Sequence, residues 1–311
     1  MKYFKVPDAN LEVSNVVMGC MHLTELSKAD ARTLIETALE QGVNFFDHAD
    51  MYDCGKCEVL FADAIEMNDD KRERMILQSK CGIVKCDGDG AYYDFSRSHI
   101  LESVKGSLKR LKTDYLDVLL LHRPDALMEP DEIAEAFEYL HSQGMVRYFG
   151  VSNQNPMQMQ LIQKSVKQKL VFNQLQLSIV HTPLIDAGMS VNMKLDQSID
   201  RDGNILEYCR LNDVTVQAWS PFQKGFFEGP FLGDMENYAQ LNQVIDRLAE
   251  KYSVKNTAIA VAWITRHPAN MQVITGTTKP GRLADCCSGS QVPLTKQEWY
   301  ELYKAAGNMI P

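Results

Sequence analysis

The chain has 311 residues, a formal net charge of −9 and 45% hydrophobic residues. That length holds two ordinary domains or one large α/β domain with a sizeable core. No basic stripe offsets phosphates, which argues against nucleic acid as the main partner, and no apolar run approaches the roughly 20 residues of a membrane span.

The N-terminal stretch "MKYFKVPDANLEVSN" carries charges and a proline where a secretory signal would be apolar. A cytoplasmic protein is therefore expected, with its eight cysteines as reduced thiols. The segment up to Asn15 reads as a small hairpin closing one end of the fold. Short apolar runs then recur at 16–19, 43–47, 75–80, 116–122, 146–153, 170–176, 214–220 and 271–276. Each is nearly continuous in hydrophobicity and ends at a polar or glycine residue, as parallel strands do when both faces are buried. Segments of helical period lie between them. Residues 28–42 end on Gly42, residues 96–112 place Ile100, Val104, Leu108 and Leu111 on one face, and 131–144 and 241–253 behave likewise. Eight strand–helix units without a Pro/Ser-rich linker predict a single (β/α)8 barrel, a TIM barrel, over residues 1–311. Its long loops are expected at 85–95, 178–200 and 221–237. An open doubly wound sheet is the competing architecture, but no G-x-G-x-x-G opens the first helix; the early glycine lies in "MGCMH".

In a barrel of this type the active site forms at the C-terminal strand ends. Those ends supply Asp47, Lys80, His122, Ser152, Asn153, Gln174, Trp219, Ser220, Gly276 and Thr277, and Tyr52 lies just past the second strand. Tyrosine titrates near 10. An ammonium beside it favours the phenolate, and Asp47 can serve as counter-ion to Lys80. Tyr52 as proton donor, Lys80 as tuner, Asp47 as partner of Lys80 and His122 as orienter of a carbonyl oxygen make a carbonyl-protonating set. No side chain donates a hydride, so a cofactor is required.

At these residues the chain resembles the aldo-keto reductase superfamily, from about residue 2 to 300 and in order. The resemblance rests on "GVNFFDHADMY" (42–52), "LQSKCG" with Lys80, "DVLLLHRPD" with His122, "GVSN" ending at Asn153, "AWSPFQKGFF" and "ITGTTKPGRLADC". It is nearest to the stand-alone bacterial oxidoreductases. It implies reduction of a small aldehyde or ketone with NADP(H), in a protein expected to be a monomer. Ser152, Asn153 and Gln174 would hold the nicotinamide carboxamide and Trp219 would stack on its ring. Ser220, Pro221, Phe222 and Gly225 would line the cofactor groove. Gly276, Thr277, Thr278, Arg282, Asp285 and Cys286 would form the adenosine end. The chain departs from the family at Asp53, which stands where a glycine usually follows the tyrosine. It departs again at Asp285-Cys286, where Glu-Asn is common, and at Gly276, where many relatives carry lysine.

Met21, His22 and Tyr93 are candidate substrate contacts, with Tyr92, Phe95, Phe226 and Phe227 in loops over the pocket. His181 reads as a rim residue. The "CGKC" at 54–57 has the spacing of a redox pair or half a zinc site. The remaining cysteines (Cys20, Cys81, Cys86, Cys286 and Cys287 among them) are scattered, so Cys54 and Cys57 are read as bystanders and no metal is expected. Two other functions stay open: an NADP-binding sensor that turns over slowly, and a thiol redox protein acting without nicotinamide.

Overall fold

The structure is a computed structural model that describes residues 1–85 and 90–311; Cys86 and the adjoining part of the 85–95 loop lie outside the described residues. Strands β1 (Tyr3–Lys5) and β2 (Glu12–Ser14) pair antiparallel as the expected hairpin. The next strands are β3 (Val16–Gly19), β4 (Phe45–Asp47) and β5 (Ile76–Cys81), followed by a small outer ladder of β6 (Ile83–Val84) and β7 (Tyr92–Tyr93). Then come β8 (Leu116–Leu121), β9 (Val146–Ser152), β10 (Leu170–Gln176), β11 (Thr215–Trp219) and β12 (Gln272–Thr275).

Among the described residues, eight strands close a parallel barrel in the order β3-β4-β5-β8-β9-β10-β11-β12, with β12 returning to β3. Each lies within the segment or one residue of the segment read from the sequence. The helices Lys28–Glu40, Arg97–Leu111, Pro130–Ser142 and Ala239–Tyr252 likewise fall on the predicted periodic stretches. No described helix is long and apolar enough to cross a membrane.

Two apolar regions hold the barrel. One fills the space between strands and helices; Phe61, Ile100, Phe137 and Phe149 belong to it. The other lies inside the lower barrel, where Val6, Leu11 and Val13 from the hairpin segment meet Phe45, Val118, Leu120 and Phe172. The hairpin thus closes the floor with side chains that water would otherwise reach. Above this plug the interior changes to glutamine, aspartate and lysine, and the change marks the functional end.

Candidate active site

Backbone pairing carries the end of β4 up into the mouth. The amides of His48 and Asp50 donate to the carbonyls of Gln78 and Lys80 at 2.8 and 3.0 Å, extending the β4–β5 register past Asp47. The chain then turns sharply after Tyr52, with Asp53, Cys54 and Gly55 all at positive φ (44°, 51° and 82°). Asp53 therefore occupies the left-handed region where the family's glycine would be unstrained. At Gly55 a Cβ would also fall 2.5 Å from Arg110 Nε. Arg110 Nε donates to the buried Glu58 at 2.6 Å, and Ser79 Oγ donates to the same carboxylate at 2.7 Å. One carboxylate thus ties the helix Lys56–Ala64, which follows the Tyr52 turn, to β5 and to the helix Arg97–Leu111.

Lys80 is wholly buried. Its three ammonium protons meet three acceptors: Asp47 Oδ2 at 2.8 Å, the His48 carbonyl at 2.8 Å and Tyr52 Oη at 3.0 Å. Burial alone would pull the lysine pKa down, but Asp47 and Tyr52 hold it above the ordinary value. Tyr52 departs from the sequence expectation. Burial raises its pKa and outweighs the lowering by Lys80, with Asp47 adding to the rise. A phenolate here would lose its hydration and face a carboxylate as well as an ammonium, so the phenol stays protonated near neutrality.

His122 follows β8, its ring edge-on to Tyr52 with centroids 5.9 Å apart. Burial, then the fields of Lys80 and Arg123, push its pKa well below the usual imidazole value. The ring is neutral, and because Nδ1 is buried without a hydrogen-bond partner among the described residues, Nε2 is the nitrogen available to a ligand.

Beneath Asp47 runs a polar chain that the sequence reading did not find. Asp47 Oδ1 accepts from Gln78 Nε2 at 2.6 Å and from Gln174 Nε2 at 3.1 Å. Both amides also donate to Gln217 Oε1, at 2.9 and 3.2 Å. Gln217 Nε2 donates to Gln272 Oε1 at 2.9 Å, and Gln272 Nε2 donates to the Ser14 carbonyl at 2.8 Å. Glutamines from β5, β10, β11 and β12 therefore connect Asp47 to the floor hairpin. One signal was available: Gln78 lies two residues before Lys80, hence on the same face of β5.

The cofactor candidates lie on the β9–β12 side. Ser152 Oγ donates to the Gln174 carbonyl at 2.9 Å, and Asn153 Nδ2 donates to Ser152 Oγ at 2.7 Å. Trp219 Nε1 donates to Asn153 Oδ1 at 3.1 Å. With both amide protons of Gln174 engaged, its Oε1 is what remains to accept from a carboxamide. Ser220 at φ 51° starts the loop with Pro221, Phe222 and Gly225. A Cβ at Gly276 would meet nothing nearer than the His22 ring at 3.9 Å, which leaves room beside the half-buried Thr277 and Thr278. Arg282 and Lys279 are exposed, and among the described residues neither joins an ion pair. Open space, hydroxyls and free cations at one strand end fit the phosphate-bearing end of a dinucleotide. Asp285 is half-buried, whereas Cys286 is fully buried with Leu283 and Cys287 inside the core.

Of the substrate candidates, His22 sits beside Gly276 and pairs with Glu25 at 2.7 Å. Met21 is half-buried and its carbonyl accepts from Cys57 Sγ. Tyr92, Tyr93, Phe226 and Phe227 are exposed, while Phe95 is buried as the anchor of its loop. Cys54 is disulfide-bonded, contrary to the expectation that all the thiols are reduced. Cys57 is a free buried thiol, so the two cysteines of "CGKC" are not joined to each other.

The Aldo/keto reductase family pattern matches residues 15–306. The chain is 35% identical to oxidoreductase YdhF of Escherichia coli (strain K12), over 95% of this chain and 94% of that protein. It is 31% identical to a 6-dehydroglucose reductase of Agrobacterium fabrum, over 95% of each. Among solved structures, the holo form of aldo-keto reductase AKR11C1 from Bacillus halodurans is similar with a TM-score of 0.77 and 25% identity, covering 100% of this chain and 97% of that one. With a closed eight-stranded barrel already in hand, these matches establish that the chain belongs to the Aldo/keto reductase family and is an NAD(P)-dependent oxidoreductase.

Proposed function

We propose that this enzyme reduces a small aldehyde or ketone to the alcohol with NADPH, and that Tyr52 delivers the proton. The observation that carries this reading is the buried relay in which Lys80 Nζ donates to Tyr52 Oη at 3.0 Å and to Asp47 Oδ2 at 2.8 Å. When bound, the nicotinamide supplies the hydride to the carbonyl carbon. Tyr52 accepts from Lys80 and keeps its own hydroxyl proton for the substrate oxygen. As that proton leaves, the charge developing on Oη is met by the Lys80 ammonium already in place, with no reorganisation needed. Neutral His122 donates from Nε2 to the same carbonyl oxygen and fixes its direction. Asp47 keeps Lys80 charged, and the glutamines keep Asp47 oriented.

Ser152, Asn153 and Gln174 would hold the carboxamide, and Trp219 the nicotinamide ring. Thr277, Thr278 and Arg282 would hold the 2′-phosphate. The name of the Agrobacterium relative, a reductase of an oxidised sugar, supports a small polar carbonyl compound as substrate. The test follows NADPH absorbance against a panel of aromatic aldehydes, dicarbonyls and ketones, with wild type and Tyr52→Phe. Steady turnover that falls at least about a hundredfold in Tyr52→Phe, with NADPH affinity nearly intact, is expected. Equal loss of cofactor binding would overturn the roles assigned, and tight binding without turnover on any carbonyl would transfer the reading to a sensor.

A further inference from the structure

Next to the relay stands a cation for which the relay has no use. Arg123 directly follows His122, just past the end of β8, and its guanidinium carbon lies 5.5 Å from the Trp219 ring centre and 5.6 Å from that of Phe226. It is half-buried. Burial pulls its pKa below the usual guanidinium value, against the opposing pull of Tyr93 and Tyr52, and among the described residues no carboxylate acts on it. The nearest acid in sequence, Asp125, is engaged elsewhere: its two oxygens accept from the backbone amides of Phe95 and Leu127 at 3.0 and 2.8 Å. Among the described residues Arg123 has no ion-pair partner. Lys80 is balanced by Asp47, so among the described residues Arg123 is the cation left uncompensated at the carbonyl end of the mouth.

That charge is not placed for the cofactor phosphates. In the closed barrel β8 and β12 are four strands apart in either direction, so Arg123 stands across the mouth from Gly276, Lys279 and Arg282. It faces the carbonyl end instead, where its field reaches His122 and Tyr52. A guanidinium flanked by aromatic rings and short of water binds a carboxylate more strongly than one in bulk solvent, through two parallel N–H···O bonds. A single cation matches a monoanion. A phosphate would call for a second one, and the three protons of Lys80 are already engaged.

We propose that Arg123 is the specificity-determining residue of this site and that the substrate is a carbonyl compound bearing a carboxylate. This rests on the reductase reading above and names its substrate class. The carbonyl oxygen sits between Tyr52 and His122, the carboxylate on Arg123, and the body of the molecule against Phe226. The exposed Phe226 and Tyr93 supply apolar surface that such a ligand would cover.

The test compares 4-carboxybenzaldehyde with its methyl ester, two aldehydes that differ in the anionic group alone, in wild type, Arg123→Met and Arg123→Lys with NADPH. Wild type is expected to prefer the acid at least tenfold in kcat/KM, Arg123→Met to bring the ratio near one, and Arg123→Lys, which keeps the charge without the paired N–H···O bonds, to fall between the two. The ratio is the readout because any effect of Arg123 on His122 acts on both aldehydes alike. Calorimetric titration with 4-carboxybenzyl alcohol, with and without NADP, gives a second readout that needs no turnover. Turnover of both aldehydes without preference, or an equal loss on both in Arg123→Met, overturns the proposal and leaves the reductase standing. No turnover of either aldehyde, with acid binding that disappears in Arg123→Met, keeps the anion site, and the reductase reading then stands or falls on the wider carbonyl panel. No turnover and no Arg123-dependent binding overturns the proposal.

Discussion

The two sides of the barrel mouth are built on different terms. On the β4–β5–β8 side, Asp47 and Lys80 are buried, and the ammonium protons of Lys80 and the carboxylate oxygens of Asp47 are already in hydrogen bonds. On the β12 side, Gly276, Lys279 and Arg282 are exposed, and among the described residues neither cation has an ion-pair partner. One side is assembled by folding itself. The other keeps its charges free until a ligand arrives. Residues of the first kind should contribute to stability as well as to chemistry, and residues of the second kind to binding alone.

The strongest way to break that comparison is Lys80→Met. Methionine fills a similar volume but leaves the Asp47 carboxylate buried without its cation, and removing one partner of a buried pair typically costs about 3–5 kcal/mol. Urea denaturation should show a loss of that order along with loss of turnover. A loss below about 1 kcal/mol would mean that the pair serves chemistry only and that the comparison is drawn in the wrong place.

His48 sharpens the picture from within the assembled side, because not every group there is satisfied. Its ring is fully buried, edge-on to Phe61 at 4.6 Å, and neither nitrogen has a hydrogen-bond partner among the described residues. Burial, then the charge of Lys80, pushes its pKa down to about 3 from 6.5. The folded state therefore refuses a proton that the unfolded chain accepts below pH 6.5, so stability is lost as pH falls from 6.5 toward 3. His48→Leu removes this uptake. Relative to wild type it should lose up to about 3 kcal/mol less between pH 7 and pH 4, read from urea midpoints at the two pH values. Equal losses in both proteins would show that other groups drive acid unfolding.

The same contrast explains what could be read without coordinates. The barrel strands were legible because a strand buried on both faces is a short apolar run with a polar end, and those ends delivered Asp47, Lys80 and His122. The helix Pro280–Ser288 carried a legible warning as well. Leu283, Cys286 and Cys287 are spaced as one buried face, yet the resemblance placed Cys286 at the adenine end. The raised pKa of Tyr52 was not legible, because its sign depends on how far burial outweighs Lys80. The glutamine chain joins four strands by side-chain length; the period of β5 puts Gln78 on the Lys80 face, but no local period announces its links to the other strands. Arg123 was visible as a residue but not as one without an ion-pair partner among the described residues; that required knowing that Asp125 turns back to the backbone at Phe95 and Leu127.

On the open side the expected effect is smaller and of a different kind. Arg282 lies in the first turn of the helix Pro280–Ser288, where backbone amides and the helix dipole favour an anion. As the proposed partner of the 2′-phosphate it should matter for NADPH and hardly for NADH. Arg282→Ala is expected to weaken NADPH by about tenfold, which is about 1.4 kcal/mol, and to change NADH binding far less. Both affinities are measurable by fluorescence titration. Unfolding stability should stay within about 0.5 kcal/mol of wild type, since an exposed side chain without a partner leaves nothing behind in the core. A uniform loss on both nucleotides would place 2′-phosphate recognition on other residues, with Lys279 the first to test. A loss of stability comparable to that of Lys80→Met would mean that Arg282 belongs to the assembled side after all.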